Sequence, residues 1–519
     1  MGIDSVADIV RTHGAARPDA LAIRFGDRDV SWGELDRRSN QVAQALLGAG
    51  VGAGDRVAFL DRNSVEHFEV QFGALKIGAV SVDVNWRLAP PEVAHVVIDA
   101  DAKVLIVGQE LVPVVDAGAE ALKAVPTIVV VGDHAEHPDY EAWLAPYSAV
   151  DPGVESGAGD VALQLYSSGT TGLPKGVMLT NGNLLALIPT ASEMWGVDAD
   201  SVSLVAMPLF HIGGGGWALV GMYHGCPNIL VRDLDPAGLV SVIGEQRVTC
   251  AFLVPALLQF MLMVPGVERA DFASLDMILY GASPISTKVL TDAIRTFKCR
   301  FIQAYGLTET TGAVVILPPE DHDPDGPNAH RLRAAGKAMA GVELRIVEPD
   351  TSADAPVGEV GEVWIKTAQN MAGYWRMPEA TDDAVVDGWF RSGDIGYLDA
   401  DGYLYIHDRV KDMIVSAGEN IYPAEIENVL MAHPAVADAA VIGVPDDKWG
   451  ETPLAIVVPA AGAAFDADGL IAFCRERLAH YKCPRAVTVA DALPRNPSGK
   501  ILKKDLRAPY WEGRTRKVN

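Results

Sequence analysis

The chain has little cysteine, no excess of positive charge and no long uninterrupted apolar run, and each shortage removes a class of protein. Its five cysteines (Cys226, Cys250, Cys299, Cys474 and Cys483) are scattered and odd in number. No two share the CxxC spacing, so the thiols read as reduced, with neither a disulfide frame nor a zinc site. The formal net charge of −26 argues against a nucleic-acid binder, whose phosphate partner demands clustered cations. The longest apolar stretch, Ala251–Val267, contains Pro255, Gln259 and Pro265. It reads as a core strand and helix rather than a membrane span. The first residues are polar, with Asp4 and Asp8, so no secretory leader is expected and the location reads as cytoplasmic. No internal repeat is evident.

What is present is the composition of a soluble globular protein, 49% hydrophobic and 21% charged. At about 100–200 residues per domain, 519 residues form roughly two to four structural units. Charge divides them. From Arg409 to Asn519 there are 15 Lys/Arg and 14 Asp/Glu, which leaves 27 and 54 for residues 1–408. The C-terminal segment is near neutral and the rest strongly acidic, an asymmetry that suggests separate jobs.

Residues 1–150 alternate strand and helix signals. Leu21–Phe25 and Asp29–Ser31 read as a hairpin, and Ser31 with Glu34 as a capping box at a helix start. Val57–Leu60 reads as a buried strand, followed by a helix to about Lys76 and a strand at Ala79–Val84. Further strands are expected at Ser203–Met207, Ile229–Val231, Met277–Tyr280 and Phe301–Ala304. Such alternation builds parallel α/β sheets, which bind ligands at the turns beyond their strands. From about Val342 the texture changes to short β strands. Residues 412–519 look like a separate α+β unit, with a helix at Pro423–Met431 and a polar tail.

Four motifs carry chemistry. Tyr166–Val177 reads YSSGTTGLPKGV. Gly169 and Gly172 let the backbone approach a ligand closely, and successive free N–H groups in such a loop form an anion cradle. Ser167, Ser168, Thr170 and Thr171 add hydroxyl donors, and Lys175 adds a charge. This is a phosphate-gripping loop by chemistry. It is not the GxxxxGK[ST] loop, because Pro174 precedes the lysine and Gly176 follows it. An ordinary polar surface loop is the plain alternative, against which the other three motifs weigh.

The second motif, Gln303-Ala-Tyr-Gly-Leu-Thr-Glu-Thr310, is expected to follow a strand and open a helix. Tyr305 suits stacking on a base, Thr308 a phosphate, and Glu309 a Mg²⁺ ion, which seeks oxygen. The third, Trp389-Phe-Arg-Ser-Gly-Asp394, offers a carboxylate able to take both ribose hydroxyls. It leads into Asp408–Ile414 and Ser416–Asn420. The fourth, Pro494-Arg-Asn-Pro-Ser-Gly-Lys500, presents one lysine from a stiffened loop in the relatively cation-rich segment.

Together, in this order and over essentially the whole length, these motifs resemble the AMP-forming acyl-CoA synthetases of the acyl-adenylate-forming superfamily. Bacterial fatty-acyl-CoA ligases are the nearest match. The resemblance implies an α/β fold: a large N-terminal domain over residues 1–408, built of parallel-sheet subdomains and a small β-barrel-like subdomain. A hinge at 409–411 and a small mobile α+β lid over 412–519 complete it. It implies ATP, Mg²⁺ and coenzyme A as cofactors, and two half-reactions. A carboxylate attacks the α-phosphorus, releasing pyrophosphate, and the CoA thiol then displaces AMP.

The resemblance also assigns roles. Ser167, Ser168, Gly169, Thr170, Thr171, Gly172 and Lys175 hold the outer phosphates, with Thr170 and Glu309 at the metal. Gly281, Ala282, Ser283, Gln303, Ala304, Tyr305 and Gly306 hold the adenine. Thr308 touches the α-phosphate, Asp394 and Arg409 the ribose, and Lys500 bridges carboxylate and α-phosphate. Lys411 marks the hinge, and Ser416, Gly418 and Glu419 serve the CoA tunnel. Asp408 stands where many relatives have glycine.

The acyl pocket is expected around His211, Gly213, Gly214, Gly215, Trp217, Val254, Gly281, Gly306 and Gly312. The Gly213–Gly216 run either makes room for a bulky acyl group or allows close packing. No charged residue in these segments would pair with a second polar end. A medium- to long-chain fatty acid is favoured, then an aryl or steroid-side-chain acid, with transfer to a separate carrier protein as an alternative. The last twenty residues hold seven Lys/Arg and two Asp/Glu. They read as an aid to CoA phosphates, a weak membrane contact, or simply a soluble terminus. A homodimer stays open.

Overall fold

Strands buried on both faces must be continuously apolar, and the runs of the first half of the chain meet that demand. They assemble into two largely parallel sheets. In the seven-stranded sheet the order is Gly373–Tyr374, Lys175–Thr180, Val161–Ser167, Val80–Asp83, Arg56–Leu60, Ala102–Gly108, Thr127–Val131. The last five run parallel, and the first two are antiparallel additions. In the nine-stranded sheet, six parallel strands run from Arg300–Leu307 through Met277–Gly281, Cys250–Leu253, Ser203–Val205 and Asn228–Leu230 to Leu21–Phe25. The computed structural model describes residues 2–167, 174–348, 353–409, 412–416, 419–446, 448–463, 465–496 and 499–512, and the side chains of all these except 408, 409, 419 and 420.

Two helices fill the space between the sheets. Val65–Leu75 is buried along its whole length, with Phe68 and Phe72 in the core of the nine-stranded sheet and Val70 and Ala74 in that of the seven-stranded one. Trp32–Gly48 does the same with Leu35 on one side and Val42 and Leu46 on the other. Its N-cap is half the expected box. Ser31 Oγ accepts from the Glu34 N–H at 3.1 Å, while the Glu34 carboxylate turns to Arg28 at 4.0 Å.

A five-stranded antiparallel sheet follows. Trp389–Leu398 lies at its branch, paired with Gly361–Thr367, Val385–Val386 and Leu404–Arg409. The C-terminal unit has its own five-stranded sheet and its own core, including Ile414, Ile426, Leu430 and Val457.

The structure departs from the sequence reading at the second motif. The Gln303–Thr310 motif does not open a helix. It forms the end of the strand Arg300–Leu307, a short 3-10 turn Thr308–Thr310, and a return strand Gly312–Leu317. Left-handed backbone at Thr311 (φ 57°) and Gly312 (φ 108°) reverses the chain before a helix can propagate. Within the polar tail, Lys503–Trp511 is a helix. Its indole Trp511 Nε1 donates to Gly443 O at 2.9 Å. Lys503 pairs with Glu427 at 2.9 Å and Arg507 with Asp412 at 2.7 Å, so part of the tail's basic charge is used within the lid. Among the described residues no helix is long and apolar enough to cross a membrane.

Candidate active site

The C-terminal ends of both parallel sheets, the β unit and the lid converge on one cavity of about 830 Å³. Ser167 and Lys175 face each other as Cα partners at the base of the gripping loop and both line the cavity. Ser168, Gly169, Thr170, Thr171 and Gly172 lie outside the described residues. Glu309 sits on the 3-10 turn, where Thr310 Oγ1 accepts from Leu307 N at 2.9 Å and bonds Gly312 O at 2.9 Å, closing the turn. Its Oε1 accepts from Ser167 Oγ and from Tyr374 OH, each at 3.1 Å. The Lys175 ammonium lies 4.8 Å from the Tyr374 ring centroid.

Beside Glu309, Ala282, Ala304, Gly306 and Thr308 line the cavity. A Cβ at Gly281 would collide with the Ala304 carbonyl oxygen, and one at Gly306 with that of Gly312. Both glycines are therefore demanded by the approach of neighbouring strands. Ala282 adopts φ 66°, a conformation rarely taken by a residue with a Cβ. Tyr280 OH contacts Gln303 Oε1 at 3.2 Å and His322 Nε2 at 3.0 Å, so Gln303 is held from behind. Tyr305 OH donates to Asp394 Oδ2 at 2.7 Å. Ser283 follows Ala282 and falls outside the lining.

Asp394 is buried and is the Cα partner of Arg409 on the next strand, whose side chain is not among those described. Lys411 and Gly418 also lie outside the described residues. Ser416 is buried in the lid strand Ile414–Ser416, as the Cα partner of Glu419 and of Gly450.

His211 caps the helix Ile212–His224, its Nδ1 accepting from Gly213 N at 3.1 Å. The proton of the neutral ring therefore resides on Nε2. Burial, and then the nearby Lys500 charge, push its pKa down to about 4. Gly213, Gly216, Trp217 and Gly312 line the cavity; Gly214, Gly215, Val254 and Gly281 do not. A Cβ at Gly214 would overlap the Pro208 carbonyl oxygen, and one at Gly215 would lie 2.8 Å from that of Leu209. The first turn of the helix thus packs on the Pro208–Leu209 backbone, so close packing accounts for these two glycines, whereas Gly216 faces the cavity with only the Ile212 side chain near its Cβ position. Trp217 Nε1 donates to Leu204 O at 3.0 Å, and its ring lies 6.0 Å from that of Trp195. With Leu187, Ile212, Val220 and Phe252 these indoles make an apolar arm.

Lys500 enters the cavity from the lid together with Arg495, Asn496 and Leu502. Its loop is tied at the base. Asn496 N–H donates to Lys500 O at 2.7 Å, and Lys500 N–H to Asn496 Oδ1 at 2.8 Å. Arg495 spans Gly499 O at 2.7 Å and Asp438 at 2.6 Å. The lid rests on the body through Gln259 Nε2, which donates to Ala437 O at 3.0 Å, and through Gly499, whose Cβ position is 3.5 Å from Val254.

Sequence reasoning missed Tyr374, Glu362 and Asp83. Glu362 accepts from Gly393 N at 3.1 Å and from Trp364 Nε1 at 2.8 Å, and so braces the turn before Asp394. Asp83 ends the fully buried strand Val80–Asp83, whose other polar residue is Ser81. It lines the cavity, lies 3.8 Å from His67, and has an Oδ2 with no hydrogen-bond partner among the described residues. Burial pushes its pKa up to about 7.

Ser167, Lys175, Glu309, Thr308 and the C-terminal unit's Lys500 thus share one cavity, an arrangement of cations, hydroxyls and a carboxylate suited to an anionic ligand. The family model described as AMP-binding enzyme matches residues 10–375, and that of the AMP-binding enzyme C-terminal domain matches residues 425–500. The chain belongs to the AMP-binding enzyme family. It is an AMP-forming acid–thiol ligase of the acid–CoA type. It is similar to the fatty acid–[acyl-carrier-protein] ligase ScoC of Streptomyces coeruleorubidus, 41% identical over 98% of this chain and 96% of the relative. It is also similar to a feruloyl-CoA synthase of an Amycolatopsis species, 39% identical over 95% of this chain and 96% of that one. Among solved structures, anthranilate CoA ligase AuaEII in complex with anthranoyl-AMP superposes with a TM-score of 0.91 at 27% identity, covering 98% of this chain and 97% of that one.

Proposed function

We propose that the chain activates a medium- to long-chain fatty acid with MgATP and passes the acyl group to coenzyme A. The observation that carries this reading is the apolar lining by Trp195, Trp217, Ile212, Phe252, Leu187 and Val220, a group that holds no charged side chain to pair with a second polar end. Desolvating an unpaired charge there would be strongly unfavourable, whereas each buried methylene contributes about 0.8 kcal/mol.

Adenylation must bring a carboxylate to a phosphate, and two anions repel. Lys500 brings a positive charge to that meeting point, and His211 Nε2–H donates without adding a second charge that would compete with the lysine. Ser167, Lys175 and Thr308 hold the phosphates, with Tyr305 and Asp394 at the nucleoside. Glu309 suits Mg²⁺: among the described residues two hydroxyl donors meet its Oε1 and orient the carboxylate, which would hold the ion, since Mg²⁺ is commonly held by one or two carboxylates plus substrate phosphates. When bound, it supplies neutralising charge at the phosphates. Thioester formation then requires the lid to turn about residues 409–411, withdrawing Lys500 and bringing 416–420 to the thiol path.

A second reading, an aryl acid, draws support from the aromatic walls at Trp195, Trp217 and Phe252 and from the likeness to a feruloyl-CoA synthase. A pyrophosphate-release assay separates the readings. Fatty acids of rising length, cinnamates, benzoates and a steroid acid are each run with and without CoA. Turnover with fatty acids only when CoA is present supports the proposal. Turnover with cinnamates alone moves the substrate to the aryl class. Release indifferent to CoA points to a carrier-protein thiol, the acceptor named for ScoC.

A further inference from the structure

Gln369–Tyr374 crosses the back of the Glu309 turn and touches it at three points. Thr311 Oγ1 donates to Gln369 O at 2.5 Å. Met371 N–H donates to the Glu309 carbonyl oxygen at 2.8 Å. Tyr374 OH donates to the Glu309 carboxylate at 3.1 Å. The strap is itself fixed to the phosphate-loop side of the seven-stranded sheet. Gly373 and Tyr374 pair with Met178 and Val177, and Trp375 N–H donates to Gly176 O at 2.7 Å. The Trp375 indole donates to Asp99 O at 2.8 Å and carries the Arg56 guanidinium 3.4 Å above its ring.

We propose that Tyr374 is a positioning residue for the metal-bearing carboxylate. Its hydroxyl sets the plane of Glu309, and its ring carries the register of Lys175 to that plane. A carboxylate free to rotate would lose orientational entropy on each binding of MgATP; the strap meets that requirement in advance. Because the ring sits under Lys175, the phosphate cation and the metal ligand keep a fixed separation when the lid moves. This inference rests on the MgATP reading of the site.

The test is Tyr374→Phe, which keeps the ring and removes the hydroxyl, beside Tyr374→Leu, which removes both. Mn²⁺ is titrated by electron paramagnetic resonance into each protein holding a non-hydrolysable ATP analogue. Tyr374→Phe is expected to weaken Mn²⁺ binding by about ten- to a hundredfold, the loss of one hydrogen bond to a charged group. The free Mg²⁺ needed for half-maximal pyrophosphate release should rise by a similar factor. Thioester formation from synthetic acyl-adenylate should stay within about twofold, since no metal–phosphate complex has to form there. Tyr374→Leu should in addition raise the KM for ATP, through Lys175. Wild-type Mn²⁺ affinity in Tyr374→Phe overturns the proposal, as does an equal loss in both half-reactions, which would mark a merely structural tyrosine. Failure of the wild-type protein to bind Mn²⁺ with the analogue would sink the MgATP reading itself.

Discussion

Tyr305 and Asp394 meet through a 2.7 Å hydrogen bond although 89 residues separate them and each belongs to a different sheet. The bond joins the nine-stranded sheet to the β unit at the place where the ribose of a nucleotide is expected. Asp394 is only 5% exposed, so its oxygens need hydrogen-bond donors to offset the lost water. Tyr305→Phe leaves the ring for stacking and removes one donor. The expected outcome is a KM for ATP raised about five- to tenfold, with kcat changed little, read from initial rates of pyrophosphate release. Tyr305→Ala should cost more, because the stacking face goes as well.

The glycine run supplies a prediction with opposite signs at neighbouring positions. A Cβ at Gly216 has Ile212 Cδ1 as its nearest atom, 3.3 Å away, and that methyl can move. Gly216→Ala should therefore fold normally, helped by the roughly 1 kcal/mol of helix propensity that alanine adds. Gly216→Leu should fill the apolar arm and shift the preferred acid to shorter chains. At Gly214 the new atom would meet the Pro208 backbone, which cannot turn aside. Gly214→Ala should lose about 1–3 kcal/mol of stability. Chemical unfolding and the chain-length profile of the three variants check the contrast.

The parallel sheets were legible because apolar strand runs and intervening helices leave a strong pattern at Val57–Leu60 or Met277–Tyr280. A helix of the C-terminal unit was legible in both place and length, since Pro423–Met431 is helical as expected. The Gln303–Thr310 turn was misread, because Gly-Leu-Thr-Glu has helix-start chemistry and nothing local announces left-handed Thr311. Tyr374 could not be found from the sequence. Its function depends on a strap whose contacts to Glu309 are set by long-range pairing, with no motif of its own. The same holds for Lys503 and Arg507, whose partners Glu427 and Asp412 lie far back in the lid.

Asp83 predicts an unusual pH dependence of stability. Its folded pKa lies near 7, raised chiefly by burial and opposed by a bond from Ser81. The unfolded chain releases this proton near the ordinary value, about 3.9. Between those values the folded state binds the extra proton, so stability falls as pH rises, by at most about 1.4 kcal/mol per unit. The loss is complete above about pH 7. Asp83→Asn removes the titration and keeps the shape. It should be the more stable protein at alkaline pH and show a flatter profile in urea unfolding midpoints measured from about pH 4 to 8. A wild-type midpoint that rises over this range relative to Asp83→Asn would contradict the assignment.

Lys500 and His211 provide the test of lid docking that does not depend on turnover. The lysine charge is one of two causes holding His211 near pKa 4, the larger being burial. A histidine held down in the fold is neutral there and charged in the unfolded chain below about pH 6.5, so its contribution weakens stability as pH falls toward 4. Lys500→Ala removes the smaller cause. The His211 pKa should therefore rise, yet stay below the ordinary value because burial remains. Carbon-13 histidine spectra, with His211→Gln to assign the resonance, follow the shift directly. In the same variant, adenylation should drop by at least about a hundredfold for loss of a charge aimed at the reacting phosphate. Thioester formation from synthetic acyl-adenylate should persist, as the proposed turn of the C-terminal unit requires. An unmoved His211 together with lost adenylation would place the lysine on the phosphate but away from the histidine. A moved His211 with both half-reactions lost would instead mean that the lid cannot turn.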